Sequence, residues 1–198
     1  MIGVLALQGD FEAHARVLRR LGAEVVEVRR AADLAGLQGL VLPGGESTTL
    51  LNLMEDEPWF PAIQGLHARG GALLGTCAGA ILLARQVTSP AQGSLGLLDA
   101  VIERNAYGRQ ADSFETTLSA PALGGPLSGV FIRAPRFRSL GRGVTVLASL
   151  EGEPVLVQEG RVIAGTFHPE LAGEGRLHRH FLDIAHAARP RYRAAASG

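Results

Sequence analysis

The sequence contains no lysine; all 19 basic residues are arginine. A chain without an ε-amine cannot form a lysine Schiff base with a carbonyl substrate, nor supply the lysine of a P-loop. It has a single cysteine, Cys77, which excludes an internal disulfide and any metal site built from several thiolates. No apolar run approaches the ~20 residues of a membrane span. The N-terminus, Met1-Ile2-Gly3-Val4-Leu5-Ala6-Leu7, lacks the charged leader and cleavage site of a signal peptide and reads as a strand, which places the chain in the cytoplasm. Nor is either sign of charge in excess, at 19 acidic against 19 basic residues. No overall field therefore draws the chain to nucleic acid or an anionic membrane. What is there is apolar: 198 residues at 46% hydrophobic content suit one well-buried α/β domain.

The first half alternates strand and helix. Apolar strands are expected at Ile2–Leu7, Ala23–Val28, Leu40–Leu42 and Ala72–Leu74, and helices at Phe11–Gly22, Ser47–Met54, Pro58–Arg69 and Ala80–Arg85. Such alternation implies a parallel sheet covered on both faces. The second half breaks into short strands, at Val101–Arg104, Ser113–Leu118, Val130–Arg133, Val144–Leu150, Val155–Glu159 and Arg161–Thr166, the last two forming a hairpin around Gly160. A helix over Arg176–Ala188 closes the domain, 1–188, and the Arg/Ala-rich residues 189–198 read as a frayed tail.

Gly75-Thr76-Cys77-Ala78-Gly79 lies at a strand-to-helix junction. It is the cysteine counterpart of the G-x-S-x-G nucleophile elbow, in which a sharp turn lifts the nucleophile above the carboxyl edge of the sheet. A helix beginning there stabilises a thiolate and aims N–H groups at a developing oxyanion. A thiol nucleophile needs a base, and the base an orienting group. Of the six histidines, His14, His67, His178, His180 and His186 fall in predicted helices beside arginine or alanine and read as solvated surface. His168 differs, because Thr166-Phe167-His168-Pro169-Glu170 follows a strand end, where a parallel sheet presents its active edge. Pro169 stiffens the turn, so Glu170 can hold the imidazole in one tautomer.

The cysteine elbow with a later Phe-His-Pro-Glu resembles the class I, or triad, glutamine amidotransferases. Leu7-Gln8-Gly9-Asp10-Phe11, Pro43-Gly44-Gly45-Glu46-Ser47-Thr48, Arg104-Asn105-Ala106-Tyr107-Gly108-Arg109-Gln110 and Phe131-Ile132-Arg133-Ala134-Pro135 narrow the resemblance to the glutaminase subunits of pyridoxal 5′-phosphate synthases. It implies a single-domain flavodoxin-like fold, with a mostly parallel central sheet, helices on both faces and a small antiparallel addition. It also implies roles. Cys77 would be the nucleophile, His168 the base and acid, and Glu170 the orienter. Gly45, Glu46 and Ser47 would grip the α-amino and α-carboxylate ends of L-glutamine, with Arg104, Ile132 and Arg133 as further contacts. Backbone N–H groups of Gly45 and Ala78 would form the oxyanion hole. No metal and no cofactor are expected. The implied partner is a (β/α)8-barrel synthase subunit in a large hetero-oligomer, which must carry the imine chemistry that a lysine-free chain cannot perform. Gln8 and Asp10, on the same sheet edge, are expected to let that partner gate the oxyanion hole.

Three other readings stay open at this point. The chain could serve the imidazole glycerol phosphate, anthranilate or guanylate pathways, although the narrower stretches argue against them. It could be a stress-related hydrolase sharing the elbow, although those place His where Ala78 stands. It could be a non-catalytic regulatory subunit that keeps the fold.

Overall fold

The computed structural model describes residues 1–104, 106 and 113–187. Asn105 and residues 107–110 of the stretch after Arg104, and the expected tail at 189–198, lie outside them. The first half alternates: β1 (Ile2–Leu5), α1 (Phe11–Arg20), β2 (Val25–Val28), β3 (Gly39–Leu42), α2 (Ser47–Leu53), α3 (Trp59–Ala68), β4 (Ala72–Thr76) and α4 (Ala78–Leu83). The second half is strand-rich: β5 (Ala84–Thr88), β6 (Leu98–Glu103), β7 (Phe114–Leu118), β8 (Leu127–Phe131), β9 (Arg136–Leu140), β10 (Thr145–Leu150), β11 (Glu153–Glu159) and β12 (Val162–Gly165). Helix α5 (Arg176–His186) ends the described chain.

Seven strands form the central sheet in the order β2-β1-β3-β4-β12-β11-β10. The first five run parallel, in the 2-1-3-4-5 order of a doubly wound flavodoxin-like sheet. β12 and β11 form the expected hairpin around Gly160, and β10 extends it antiparallel. Successive strand residues point to opposite faces, and the two cores obey that period. Leu40, Leu42, Leu73 and Val162 pack under α2, α3 and α4 with Leu50, Trp59, Ile63 and Leu82. Ile2, Val4, Val41, Leu74 and Ile163 pack under α1 and α5 with Leu18, Leu177 and Phe181. Among the described residues, no helix is long and apolar enough to cross a membrane.

Three expectations need correction. The helix after Cys77 starts at Ala78 rather than Ala80 and stops at Leu83, because Ala84–Thr88 turns to strand and pairs with β6. β9 was not expected; only Phe137 among its residues is buried, too little apolar alternation to signal a strand, and it is held by pairing to β6. β8 runs over Leu127–Phe131 and ends before Arg133, whose φ of 44° cannot continue a strand. The expected small antiparallel addition is the β7-β8 pair, and beside it β5-β6-β9 joins one parallel to one antiparallel pair.

Candidate active site

The parallel register of β4 and β12 brings the site together. Thr76 pairs with Gly165, and the Cys77 N–H donates to Gly165 O at 2.8 Å. The nucleophile candidate thus leaves β4 beside the strand that leads to His168. Cys77 has φ 49° and ψ −105°, a strained conformation for a residue with a side chain, of the kind that costs about 1–3 kcal/mol and persists only where its surroundings enforce it. Both flanking glycines supply that enforcement by close approach. A Cβ on Gly79 would stand 1.9 Å from Leu42 O, and one on Gly75 would stand 2.5 Å from Gly79 O. Helix α4 therefore presses directly on β3 and β4, and the turn between them has room for only one course.

His168 is anchored from the backbone, its N–H donating to Val130 O at 2.8 Å. Its ring Nδ1 donates to Glu170 Oε1 at 2.8 Å, which leaves Nε2 for the thiol of Cys77, the other residue of the pair that lines the cavity. Burial disfavours a charged ring here, but the Cys77 hydrogen bond and the Glu170 carboxylate outweigh it and raise the pKa to about 10. For Glu170, burial pushes toward the neutral acid. The charge and hydrogen bonds of His14 and His168 overcome it and hold the carboxyl well below the usual range.

The expectation that all histidines other than His168 are solvated fails for two of them. His14 and His178 are both 0% exposed. His14 Nε2 lies 3.2 Å from Glu170 Oε2 and 3.2 Å from Thr76 Oγ1, and its Nδ1 lies 2.9 Å from His178 Nε2. The helical period carried the missed signal. His14 is three residues after Phe11 and four before Leu18, and His178 is three before Phe181, so both sit on the inward stripe.

Above Cys77 opens a cavity of about 190 Å³. Gly45, Glu46, Ser47, Cys77, Arg104, Ile132, Arg133 and His168 all line it, as does Asp10. Sequence reasoning assigned no role to two other lining residues, Ile81 and Pro135. Gln8, Ala78 and Glu170 do not line it. Several of the lining side chains are already engaged. The Glu46 carboxylate caps α2, accepting from the N–H groups of Thr48 at 3.0 Å and Thr49 at 2.6 Å, and it pairs with Arg104 at 3.3 Å. Burial works against its charge, but these donors hold its pKa down to about 2. Arg104 also donates to Thr48 Oγ1 at 2.9 Å, and the Ser47 hydroxyl donates to Gln92 Oε1 at 2.9 Å. Gln8 touches the loop directly, its Oε1 accepting from the Glu46 N–H at 3.2 Å. Gly44 sits against the imidazole itself: a Cβ there would come within 2.4 Å of His168 Cε1.

Among the described residues, one group has ligand atoms close enough together for a metal ion: Asp10, His168 and Glu170, within 4.8 Å of one another. His168 Nδ1 and Glu170 Oε1 are bonded to each other, so a metal would have to break the pair that orients the ring.

A thiol raised over the carboxyl edge of a doubly wound sheet, beside an imidazole fixed by a carboxylate, is the apparatus of a thiol-based amide hydrolase. A profile of the SNO glutamine amidotransferase family matches residues 4–186, and the chain belongs to that family. Two relatives, from Thermus thermophilus and Deinococcus radiodurans, each bear the name pyridoxal 5′-phosphate synthase subunit PdxT. The first is 54% identical over 93% of this chain and 97% of its own. The second is 52% identical over 93% and 96%. A crystal structure described as a glutamine amidotransferase superposes with a TM-score of 0.87 at 52% identity, covering 93% of this chain and 98% of that one. PurLQS from Thermotoga maritima, at 18% identity and a TM-score of 0.68 over 92% of this chain and 97% of its own, shares the fold.

Proposed function

We propose that the chain is the cytoplasmic glutaminase subunit of a pyridoxal 5′-phosphate synthase, hydrolysing L-glutamine to L-glutamate and ammonia through Cys77, His168 and Glu170. The ammonia passes to a (β/α)8-barrel synthase subunit within a large hetero-oligomer. One observation carries the reading: Cys77 and His168 face the same cavity, and Glu170 bonds the His168 ring from behind it.

Glutamine enters with its side-chain amide toward Cys77. Its α-carboxylate meets the guanidinium groups of Arg104 and Arg133, which suit a carboxylate bidentately, and its α-amino end meets the Gly45-Glu46-Ser47 loop. Because Glu46 holds Arg104 while capping α2, one carboxylate fixes both walls of that subsite. The Cys77 thiolate attacks the amide carbon, and the His168 imidazolium hands its proton to the departing ammonia. The N–H groups of Ala78 and Gly45 stabilise the oxyanion, each donor supplying roughly 3–4 kcal/mol. His168, now neutral, takes a proton from water, which attacks the glutamyl thioester and frees glutamate. Glu170 keeps Nδ1 protonated throughout, so that Nε2 is the atom that exchanges the proton. Domain 1–188 contains all of these groups, and the tail at 189–198 takes no part in the chemistry.

The test measures ammonia release from glutamine by the chain alone and with its synthase. Cys77→Ala should release none, and a glutamine-like diazo-ketone should label the parent once per chain and the variant not at all. With ammonium salts in place of glutamine, the synthase should make the cofactor without this chain. Glutamine hydrolysis surviving in Cys77→Ala overturns the nucleophile. Cofactor synthesis that still requires this chain under ample ammonium overturns the donor role.

A further inference from the structure

The chain of buried polar groups does not end at Glu170. Its Oε1 is occupied by His168, while Oε2 lies 3.2 Å from His14 Nε2, and both side chains are fully buried. This second oxygen has no aligned hydrogen bond, and His14 Nε2, which bonds the Thr76 hydroxyl, faces it at ion-pair distance. His14 Nδ1 is then left for His178 Nε2 at 2.9 Å, and the two nitrogens share one proton. Thr76, the residue before the nucleophile, closes the cluster with Oγ1 3.2 Å from His14 Nε2. The two histidines come from α1 and α5, the helices that cover one face of the sheet, and reach the back of the site from the side opposite the cavity.

We propose that His14, backed by His178, is a positioning residue that holds the outer oxygen of Glu170 and through it keeps the His168 imidazole in its working orientation. The inference rests on the triad reading above. A buried carboxylate that loses its ion-pair partner is expensive to keep charged. Without His14, Glu170 either takes up a proton or turns away from His168, and each outcome releases the ring. His178 suits the supporting role because it stays neutral: burial first, and then the charge of His14, bring its pKa down to about 3. It can therefore share a proton with His14 without competing for the carboxylate. The charged or titratable groups around the pair are Cys77 and His168 on the cavity side, Asp10 from the loop after β1, and Arg20 acting on His178.

The experiment compares His14→Leu with His14→Gln in the complex with the synthase. Leucine fills the space without a donor; a glutamine amide nitrogen sits where Nε2 was and can still donate to Glu170. His14→Leu is expected to lower kcat about 10- to 100-fold with KM within twofold, a step weaker than losing the orienting acid itself. His14→Gln should recover to within about threefold of the parent. Alkylation of Cys77 by a glutamine-like diazo-ketone gives a reading independent of turnover: the acid limb of its pH profile should move upward by about one pH unit in His14→Leu and less in His14→Gln. Should His14→Leu fail to fold, His14→Asn replaces it, since its shorter amide reaches His178 but not Glu170. A folded His14→Leu or His14→Asn with the parental kcat and acid limb overturns the inference. So does equal loss in the Gln variant, which would make the site one of packing. A parent chain that the diazo-ketone does not label overturns the triad reading and this inference with it, whereas labelling that is identical in parent and variants overturns the inference alone.

Discussion

Gly44 offers a perturbation whose size follows from the geometry. Its backbone is not in the left-handed region, so alanine can adopt it without dihedral strain. A Cβ there, however, would stand 2.4 Å from His168 Cε1, 3.0 Å from Nδ1 and 3.2 Å from Nε2. Ordinary carbon contact is about 3.5 Å, so the ring must retreat by about 1 Å. It cannot do so and keep both partners, because Glu170 holds Nδ1 at 2.8 Å on one side and Cys77 binds the other nitrogen. A displacement of that size at the reacting groups costs on the order of 100-fold in rate. Overpacking of this kind costs about 1–3 kcal/mol of stability, enough to lower the melting temperature by several degrees but not to unfold a domain of this size. Gly44 does not line the cavity, so KM should hardly change. Steady-state glutamine hydrolysis in the presence of the synthase, with a thermal melt on the same sample, separates these effects. Gly93→Ala, whose Cβ meets nothing within 4 Å, is the matched control. A folded Gly44→Ala enzyme with parental kcat would refute the claim that this contact sets the position of the base.

Two further outcomes concern the Gly44–Ser47 loop. Gln8→Ala removes the acceptor that holds the Glu46 N–H at 3.2 Å; if the synthase gates the oxyanion hole through Gln8 and Asp10, this variant should bind the synthase normally yet lose most of the activation that binding produces. Parental activation in Gln8→Ala would remove Gln8 from the gate. Glu46→Gln tests the cap: a carboxyl whose folded pKa falls from its ordinary 4.5 to about 2 adds stability that is complete above pH 4.5 and lost as pH falls through 2. Thermal melts from pH 7 to pH 2 should show the parent losing stability over that window and the variant, already less stable at pH 7, losing less.

Much of this was legible in the chain because the physics involved is local. Period-3.6 apolar patterns located the helices of the parallel core, short continuous apolar runs located its strands, and glycines spaced around one cysteine marked the elbow. The close approach of Gly79 to Leu42 O explains why that spacing tolerates nothing larger. What was not legible depends on tertiary pairing. β9 is a strand because β6 offers it a ladder, not because its own residues ask for one. Arg133 looked like the end of a strand, and only the turn that carries it to the cavity requires its φ of 44°. His14 and His178 were misread by composition: arginine and alanine neighbours suggested a wet surface, while their helical phase pointed inward. Chain neighbours on a helix face different directions, so phase should have outweighed company.

The missing lysine gains meaning once the site is in place. In the proposed reaction a glutamyl thioester waits on Cys77, and any nearby primary amine would intercept it or compete with ammonia for an electrophile. Arginine guanidinium stays protonated and is a poor nucleophile, so Arg104 and Arg133 can line the cavity without that hazard. The chain's one primary amine is its N-terminus. Met1 N donates to Gln38 Oε1 at 2.8 Å, just before β1 and β3 begin. Cys77 lies past the far, carboxyl ends of the same parallel strands. A sheet that puts its chemistry at one edge and its own amine at the other keeps that amine away from the thioester, leaving the chain itself with no amine to set against water or ammonia at the site.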